Sequence, residues 1–238
     1  MYKNKKVSVV ISTYNEAQSI GSVIDGLFDT GFVDEIVVVD NNALGNTREE
    51  VVKTKAKLVT ETKQGLGFGL KKGFEEAKGD LIIVIDADGT YQSKDIEKLL
   101  SYSDEFDAVL GTRTSRSAIW SGAFMPFPVR VANLIWAKIV EFLYNGPLLT
   151  DVGCLYKLIS RDALDKIKDL FPRSRGDGLF NIEMVIWLLA RKVKTIEIPI
   201  IFKERVGESM YVGKSIWKAA KWGLKMIPVI IKYQFKKV

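Results

Sequence analysis

Between Val7 and Gly111, short β-branched runs alternate with segments whose apolar residues recur at helical spacing, and this alternation constrains the fold most. The runs Val7–Ile11, Glu35–Val39, Lys57–Thr60 and Leu81–Ile85 are predicted strands; the near-continuous apolar ones imply burial on both faces of a sheet. Ala17–Phe28 and Leu66–Ala77 are predicted helices between them, with Gly31, Gly45 and Gly79 at the joints. Units of this kind close right-handed into a parallel sheet. The expected fold class is therefore α/β, a predominantly parallel central sheet flanked by helices.

In such a sheet, ligands bind outside the carboxyl ends of the strands. Polar clusters follow all four runs: Ser12-Thr13-Tyr14-Asn15-Glu16, Asp40-Asn41-Asn42, Lys63-Gln64-Gly65 and Asp86-Ala87-Asp88. Their placement predicts one crevice. Asp86 and Asp88, at positions i and i+2 of an extended segment, project to one side. Two close carboxylates repel unless a cation lies between them, and a hard divalent ion accepts one or two carboxylates together with substrate phosphate oxygens. The plainer alternative is a turn in which Asp88-Gly89 only makes the bend. Gly65-Leu66-Gly67-Phe68-Gly69, about twenty residues before Asp86, imitates a dinucleotide fingerprint. Its spacing is G-x-G-x-G, however, and it follows the third strand rather than the first.

The chain of 238 residues has no histidine and a single cysteine, Cys154, which excludes a disulfide framework, the common zinc sites and Ser-His or Cys-His nucleophiles. Acid, base and metal chemistry falls to carboxylates, amides, hydroxyls, Lys and Arg. A net charge of +6 suits phosphorylated ligands, nucleic acid or an anionic membrane, and alone selects none. No leader-like apolar stretch follows Met1; Arg130, Lys138 and Glu141 interrupt one later apolar segment, and Lys225, Pro228 and Lys232 another. The expectation is a cytoplasmic chain without a spanning helix.

Val129, Ala132, Asn133, Trp136, Ile139, Val140 and Leu143 share a helical face, which either packs on the sheet or walls a site for an apolar acceptor. Lys214, Lys218, Lys221 and Lys225 form a cationic stripe beside Ile216, Ala220, Gly223 and Ile227, with Trp217 and Trp222 nearby. That helix fits a membrane surface, or else carries a solvated charged face, and Pro228 is expected to kink or end its first section. The expected division is a main domain over 1–212 and a C-terminal amphipathic, membrane-associating segment over 213–238.

Taken in order, the motifs resemble family 2 glycosyltransferases of the GT-A (nucleotide-diphospho-sugar transferase) fold, particularly the dolichyl-phosphate mannose or glucose synthase-like branch. The resemblance is carried by Ser12–Glu16, Ile36–Asn42, Gln64–Gly67 with Ala77–Asp80, Asp86–Asp88, Gly111–Arg113, Thr150–Cys154 and Arg205–Ser209. It implies donor-binding roles for Thr13, Tyr14, Glu16, Asp40, Gly65, Ala87 and Lys214. It also implies Mg²⁺ or Mn²⁺ held by Asp86 and Asp88, with Gln92 as a candidate third ligand where many relatives carry glutamine at the position of Thr90. The implied catalytic set is Asp86, Asp88, Arg113, Arg205 and Asp151. The two arginines suit phosphate groups, or else form surface ion pairs; Asp151 is either a base for a hydroxyl acceptor or a turn residue.

Ser12 replaces the family's usual proline, Ala43-Leu44-Gly45 replaces Ser-Thr-Asp, and Met210 replaces a lysine for which Lys214 is a candidate substitute. The implied reaction is inverting transfer of a sugar from a GDP- or UDP-linked donor to a polyprenyl or dolichyl phosphate. A phosphate acceptor is already anionic, so it suits a site without histidine. The implied partners are the nucleotide sugar, the lipid phosphate and the cytoplasmic face of a membrane as a peripheral surface, with no nucleic acid. Two other readings stay open: a sugar nucleotidyltransferase, and a catalytically degenerate nucleotide-binding scaffold at the membrane.

Overall fold

The four predicted runs are strands β1 (Val7–Thr13), β2 (Glu35–Asp40), β3 (Lys57–Thr60) and β4 (Leu81–Val84) in the computed structural model, which describes residues 1–207 and 215–234. Three more complete the sheet: β5 (Ala108–Thr112), β6 (Lys157–Ser160) and β7 (Thr195–Pro199). Their order is β3-β2-β1-β4-β6-β5-β7. β1 pairs in parallel with β2, Val10 opposite Val37, and with β4, Val10 opposite Val84. β6 alone runs the other way, antiparallel to both β4 and β5, while β5 and β7 are parallel. The exception matters for function. The chain enters β6 at the edge where the other strands end, so Asp151–Tyr156 reaches the same crevice as the tips of β1, β4, β5 and β7.

The helices are α1 (Ile20–Phe28), α2 (Thr47–Val52), α3 (Leu66–Glu76), α4 (Ile96–Ser101), α5 (Phe127–Tyr144), α6 (Arg161–Ile167), α7 (Phe180–Ala190) and α8 (Ile216–Gln234). Helix α1 begins three residues later than its periodicity suggests, because the Glu16 carbonyl accepts both Ser19 N and Ile20 N and turns 17–19 first. Side chains alternate along each strand, so one sheet face gives Val9, Ile11, Ile36, Val38 and Ile83 to a core shared with α1, α2 and α4. The other gives Val10, Val37, Val39, Ile82 and Val84 to a core shared with α3 and α5 to α8. The glycines of α3 serve this second core. A Cβ at Gly73 would lie 2.2 Å from Val10 Cγ1, and one at Gly69 2.1 Å from Ser12 Oγ, so glycine lets the helix lie directly on β1. The imitation of a dinucleotide fingerprint is thereby explained as packing.

Helices α5 and α8 run side by side. A Cβ at Gly223 would lie 2.8 Å from Trp136 Nε1, and further along Tyr144 donates to the Ile230 carbonyl at 2.5 Å. Tyr233 anchors α8 to α7 through the Glu183 carboxylate at 2.9 Å and an edge-on contact with Trp187. Met226, Val229, Ile230 and Tyr233 are thus buried in the main core. The helix does not end at Pro228 but continues to Gln234; the ring takes an exposed position on it. Among the described residues, no helix is long and apolar enough to cross a membrane.

Candidate active site

The strand ends open into a cavity of about 1030 Å³. One end is polar: Ser12 and Thr13 from β1, Tyr14 and Glu16 from the turn after it, Asp86 and Asp88 beyond β4, Arg113 after β5, and Arg205 beyond β7. The other is largely apolar, walled by Val129, Ala132 and Trp136 of α5, Ile182 of α7, and Trp222 and Met226 of α8. Of the face that periodicity predicts for α5, Val129, Ala132, Asn133 and Trp136 line the cavity and Val140 is buried in the core, while the half-buried Ile139 and Leu143 also border a groove on the outside of the helix.

Glu16 organises the turn after β1. Its Oε2 accepts Thr13 Oγ1 at 2.8 Å, Tyr14 N at 2.8 Å and Asn15 N at 2.9 Å, and its Oε1 accepts Arg205 Nη2 at 3.1 Å. Arg205 also donates through Nη1 to Asp88 Oδ2 at 2.5 Å, while Asp88 Oδ1 accepts Thr90 N at 3.0 Å and Thr90 Oγ1 at 2.6 Å. Burial pushes the Asp86 carboxyl up to about 7, the Asp88 charge adds to this, and Arg205 offsets only part. Among the described residues, Arg205 and Arg113 thus leave the negative charge around Asp86 only partly offset. A hard divalent cation fits this set of oxygen donors. Among the described residues no cluster of three or more His, Cys, Asp or Glu forms a self-sufficient metal site, so diphosphate oxygens would have to complete the shell.

Arg113 and Asp151 form the opposite arrangement. Asp151 Oδ2 accepts Arg113 Nε at 2.7 Å and Arg113 N at 3.1 Å; Oδ1 accepts Arg113 Nη2 at 3.0 Å and Gly153 N at 3.0 Å. Burial alone would raise the Asp151 carboxyl, but the Arg113 charge and these donors hold it below the ordinary range. The Asp151 side chain is fully buried and not part of the cavity lining. Its oxygens are taken up by Arg113 and Gly153 rather than turned to the cavity, and it fixes Arg113, whose guanidinium lies over the Phe202 ring, 5.4 Å from its centroid. Below it, Glu197 accepts Thr150 N at 2.8 Å and Asp151 N at 2.9 Å, with burial pushing its own carboxyl up to about 7.

Four other expected site residues fall outside the cavity lining. Asp40 spends Oδ1 on Ala43 N at 2.7 Å and Oδ2 on Arg48 Nη1 at 2.8 Å, and its neighbour Asn41 lines the cavity instead. Gly65, at φ +143°, is needed for packing, since a Cβ there would lie 2.2 Å from the Gly176 carbonyl oxygen; Gln64 and Leu66 on either side face the cavity. Ala87 is buried, its carbonyl accepting Ser19 Oγ at 2.7 Å. Gln92 precedes the short 3-10 turn Ser93–Asp95, and it is Thr90 that donates to Asp88. Lys214 lies outside the described residues.

The structure adds two polar residues that the sequence reading missed. Lys157, fully buried on β6, donates to the Cys154 carbonyl and to Asn181 Oδ1, and burial pulls its ammonium down to about 8. Asn181 donates to the Gly153 carbonyl at 2.9 Å and lines the cavity. Together they pin the loop that carries Asp151. The available signal was a polar residue inside an apolar run, at Lys157 in Leu155–Ile159 and at Asn181 in the apolar stretch of α7.

A mostly parallel sheet with paired aspartates beyond its central strand, and with arginines after β5 and beyond β7 lining the same cavity, has the GT-A fold of glycosyltransferases. The glycosyl transferase family 2 pattern matches residues 8–168, and the chain belongs to this family. It is similar to an undecaprenyl-phosphate mannosyltransferase of Micrococcus luteus, 28% identical over 92% of this chain and 94% of that protein. It is likewise similar to a dolichyl-phosphate hexose transferase of Haloferax volcanii, 29% identical over 91% and 95% of the two chains. Among solved structures, a glucosyl-3-phosphoglycerate synthase from Mycobacterium tuberculosis, in complex with Mn²⁺, UDP and phosphoglyceric acid, shares the fold with a TM-score of 0.73. That match has 16% identity and covers 98% of this chain and 79% of the other.

Proposed function

We propose that this enzyme transfers a hexose, with inversion, from a nucleoside diphosphate sugar to a polyprenyl phosphate, using Mg²⁺ or Mn²⁺ at Asp86 and Asp88. The observation that carries this reading is the two-ended cavity, charged at the strand tips and largely apolar between α5, α7 and α8. The names of the relatives support a lipid phosphate acceptor. The Mn²⁺ and UDP of the structural neighbour support a cation on a nucleotide diphosphate.

In this reading Thr13, Tyr14 and Glu16 hold the nucleotide, and Asp86 and Asp88 hold the cation on its diphosphate. The bound cation would neutralise charge on the leaving diphosphate, a stabilisation that grows toward the transition state. Arg205, relieved of Asp88, lies within reach of the same phosphates. Arg113 is locked by Asp151 and presents a fixed charge to the anionic acceptor, which needs no reorganisation as the reaction proceeds. An acceptor phosphate oxygen bonds to the anomeric carbon as the carbon–oxygen bond to the diphosphate breaks. No proton has to be removed from the nucleophile, so the engagement of Asp151 with Arg113 leaves no gap in the chemistry.

The test is incubation of the purified protein with GDP- and UDP-hexoses, Mn²⁺ and a short-chain polyprenyl phosphate. The expected products are free nucleoside diphosphate and a lipid-linked sugar. Release of inorganic diphosphate from a nucleoside triphosphate and a sugar phosphate would instead establish a nucleotidyltransferase. Binding of nucleotide sugar without turnover on any acceptor would establish a degenerate scaffold.

A further inference from the structure

Helix α5 is apolar nearly all round, a pattern that a helix on a water-facing surface does not carry. Its inward face lines the cavity, but its outward face leaves Phe127 69%, Ile135 55% and Phe142 85% exposed, around a shallow groove of about 700 Å³. The adjoining helix α8 exposes Trp217 at 86% and Leu224 at 63%, together with Ile227 and Ile231. At 100° per residue, α8 divides into three sectors: a buried one (Met226, Val229, Ile230, Tyr233), an exposed apolar one (Trp217, Leu224, Ile231) and, between them, exposed Lys218, Lys221 and Lys225. Exposed apolar surface on this scale marks an interaction site.

We propose that the outward faces of α5 and α8 form one docking surface for an anionic lipid leaflet, with α5 supplying much of the inserted apolar contact and the α8 lysines the attraction to headgroups. Charge selects this occupant. Helix α8 has no acidic residue from Ile216 to Gln234, and on α5 the one acidic residue, Glu141, is held by Lys138 at 2.6 Å. A second copy packed here in an isologous manner would set cationic surface against cationic surface, whereas an anionic leaflet complements it. Continuity with the site points the same way. The two helices touch at Trp136 and Gly223, and on the N-terminal side of that contact both line the reaction cavity, through Val129 and Ala132 on one and Lys218 and Trp222 on the other. The cavity therefore borders the docking surface. Lysines set beside apolar and aromatic residues are the pattern of a helix lying in the interfacial plane.

The surface's purpose rests on the lipid-phosphate reading, but its test does not. Wild-type protein is expected to sediment with phosphatidylcholine vesicles containing phosphatidylglycerol. The double variant Ile135→Asp/Phe142→Asp, at exposed positions outside the reaction cavity, is expected to lose at least tenfold in vesicle partitioning. Its circular-dichroism melt and its turnover of a water-soluble short-chain polyprenyl phosphate should be unchanged. Lys221→Gln/Lys225→Gln should weaken binding by about fivefold per lysine on anionic vesicles alone, an effect removed by high salt. Undiminished vesicle binding by the aspartate variant overturns the proposal. So does a wild-type dimer that ignores vesicles and dissociates on Phe142→Asp, which would make the face a self-interface. Absence of turnover with every acceptor, alongside intact vesicle binding, would count against the proposed reaction and leave the docking surface standing.

Discussion

Two arginine–carboxylate arrangements each bring an arginine to the cavity, and their chemistry is opposite. Arg113 and Asp151 form a closed pair: one guanidinium, one carboxylate, and four donors shared between the two carboxylate oxygens. Around Arg205, among the described residues, the acidic groups outnumber the guanidinium. A single guanidinium serves both Asp88 and Glu16, and Asp86 beside them is pushed up to about 7 by burial and by its neighbour. The closed pair behaves as part of the scaffold. In the proposed reading, the open cluster is where the divalent cation binds.

The sharpest way to break this distinction is to neutralise one aspartate of each. Asp88→Asn is expected to lower transfer by about a thousandfold, the scale of losing a group that stabilises transition-state charge. Its melting temperature should hold or rise, because the mutation relieves crowded negative charge. Retained activity would remove Asp88 from the cation site. Asp151→Asn should act chiefly on stability, at a cost of about 3–5 kcal/mol in urea unfolding, because it leaves the mostly buried Arg113 without its counter-charge. Equal stability losses in the two variants would erase the contrast.

A smaller effect separates the two through pH. Native Asp86 keeps its proton up to about 7, whereas the unfolded chain releases it near an ordinary aspartate value of about 4. Between those values the native state binds more protons than the unfolded state, so the contribution of Asp86 to cation-free stability falls as pH rises and is fully lost above about 7. A divalent cation requires the charged form, so its stabilisation grows over the same range. The thermal shift produced by Mn²⁺ should therefore be larger at about pH 8 than at about pH 5. Glu197, also pushed up to about 7, adds the same trend to cation-free stability. Glu197→Gln should flatten part of that trend without altering the Mn²⁺ difference, and a Mn²⁺ shift independent of pH would mean that Asp86 is not a ligand.

The two clusters also differ in how far the sequence revealed them. The strand tips were legible because an apolar run followed by a polar cluster specifies both a strand and its exposed end, and Thr13, Tyr14, Glu16, Asp86 and Asp88 all reach the cavity. Arg113 and Arg205 reach it too. The way a tip residue turns was not legible. Asp40 faces away because Arg48 and the Ala43 amide, farther along the chain, claim its oxygens, and the next residue, Asn41, takes the opening. The role of Asp151 depends on β6 running antiparallel between β4 and β5, a long-range pairing that local pattern does not encode. For α5, periodicity placed Val129, Ala132, Asn133 and Trp136 at the cavity, but an apolar content spread round the helix concealed that the outward face remains exposed and that Ile139 and Leu143 border it.

The smallest expected effects bear on the edge of the open cluster, at Thr90. Thr90 Oγ1 donates to Asp88 Oδ1 at 2.6 Å, so Thr90→Val removes one hydrogen bond that orients the aspartate while leaving the backbone bond from Thr90 N in place. A hydrogen bond to a charged group contributes about 1.5 kcal/mol, which predicts roughly a tenfold loss in kcat/KM. Gln92 caps the turn through its backbone and lies outside the cavity lining, so Gln92→Ala should change kcat/KM and the Mn²⁺ requirement by less than about twofold. Reversal of this order, with Gln92→Ala the more damaging and its defect rescued by excess Mn²⁺, would mean that the turn swings toward the aspartates when the donor binds. The open cluster would then recruit a ligand that its resting geometry holds apart, whereas the Arg113–Asp151 pair is already complete.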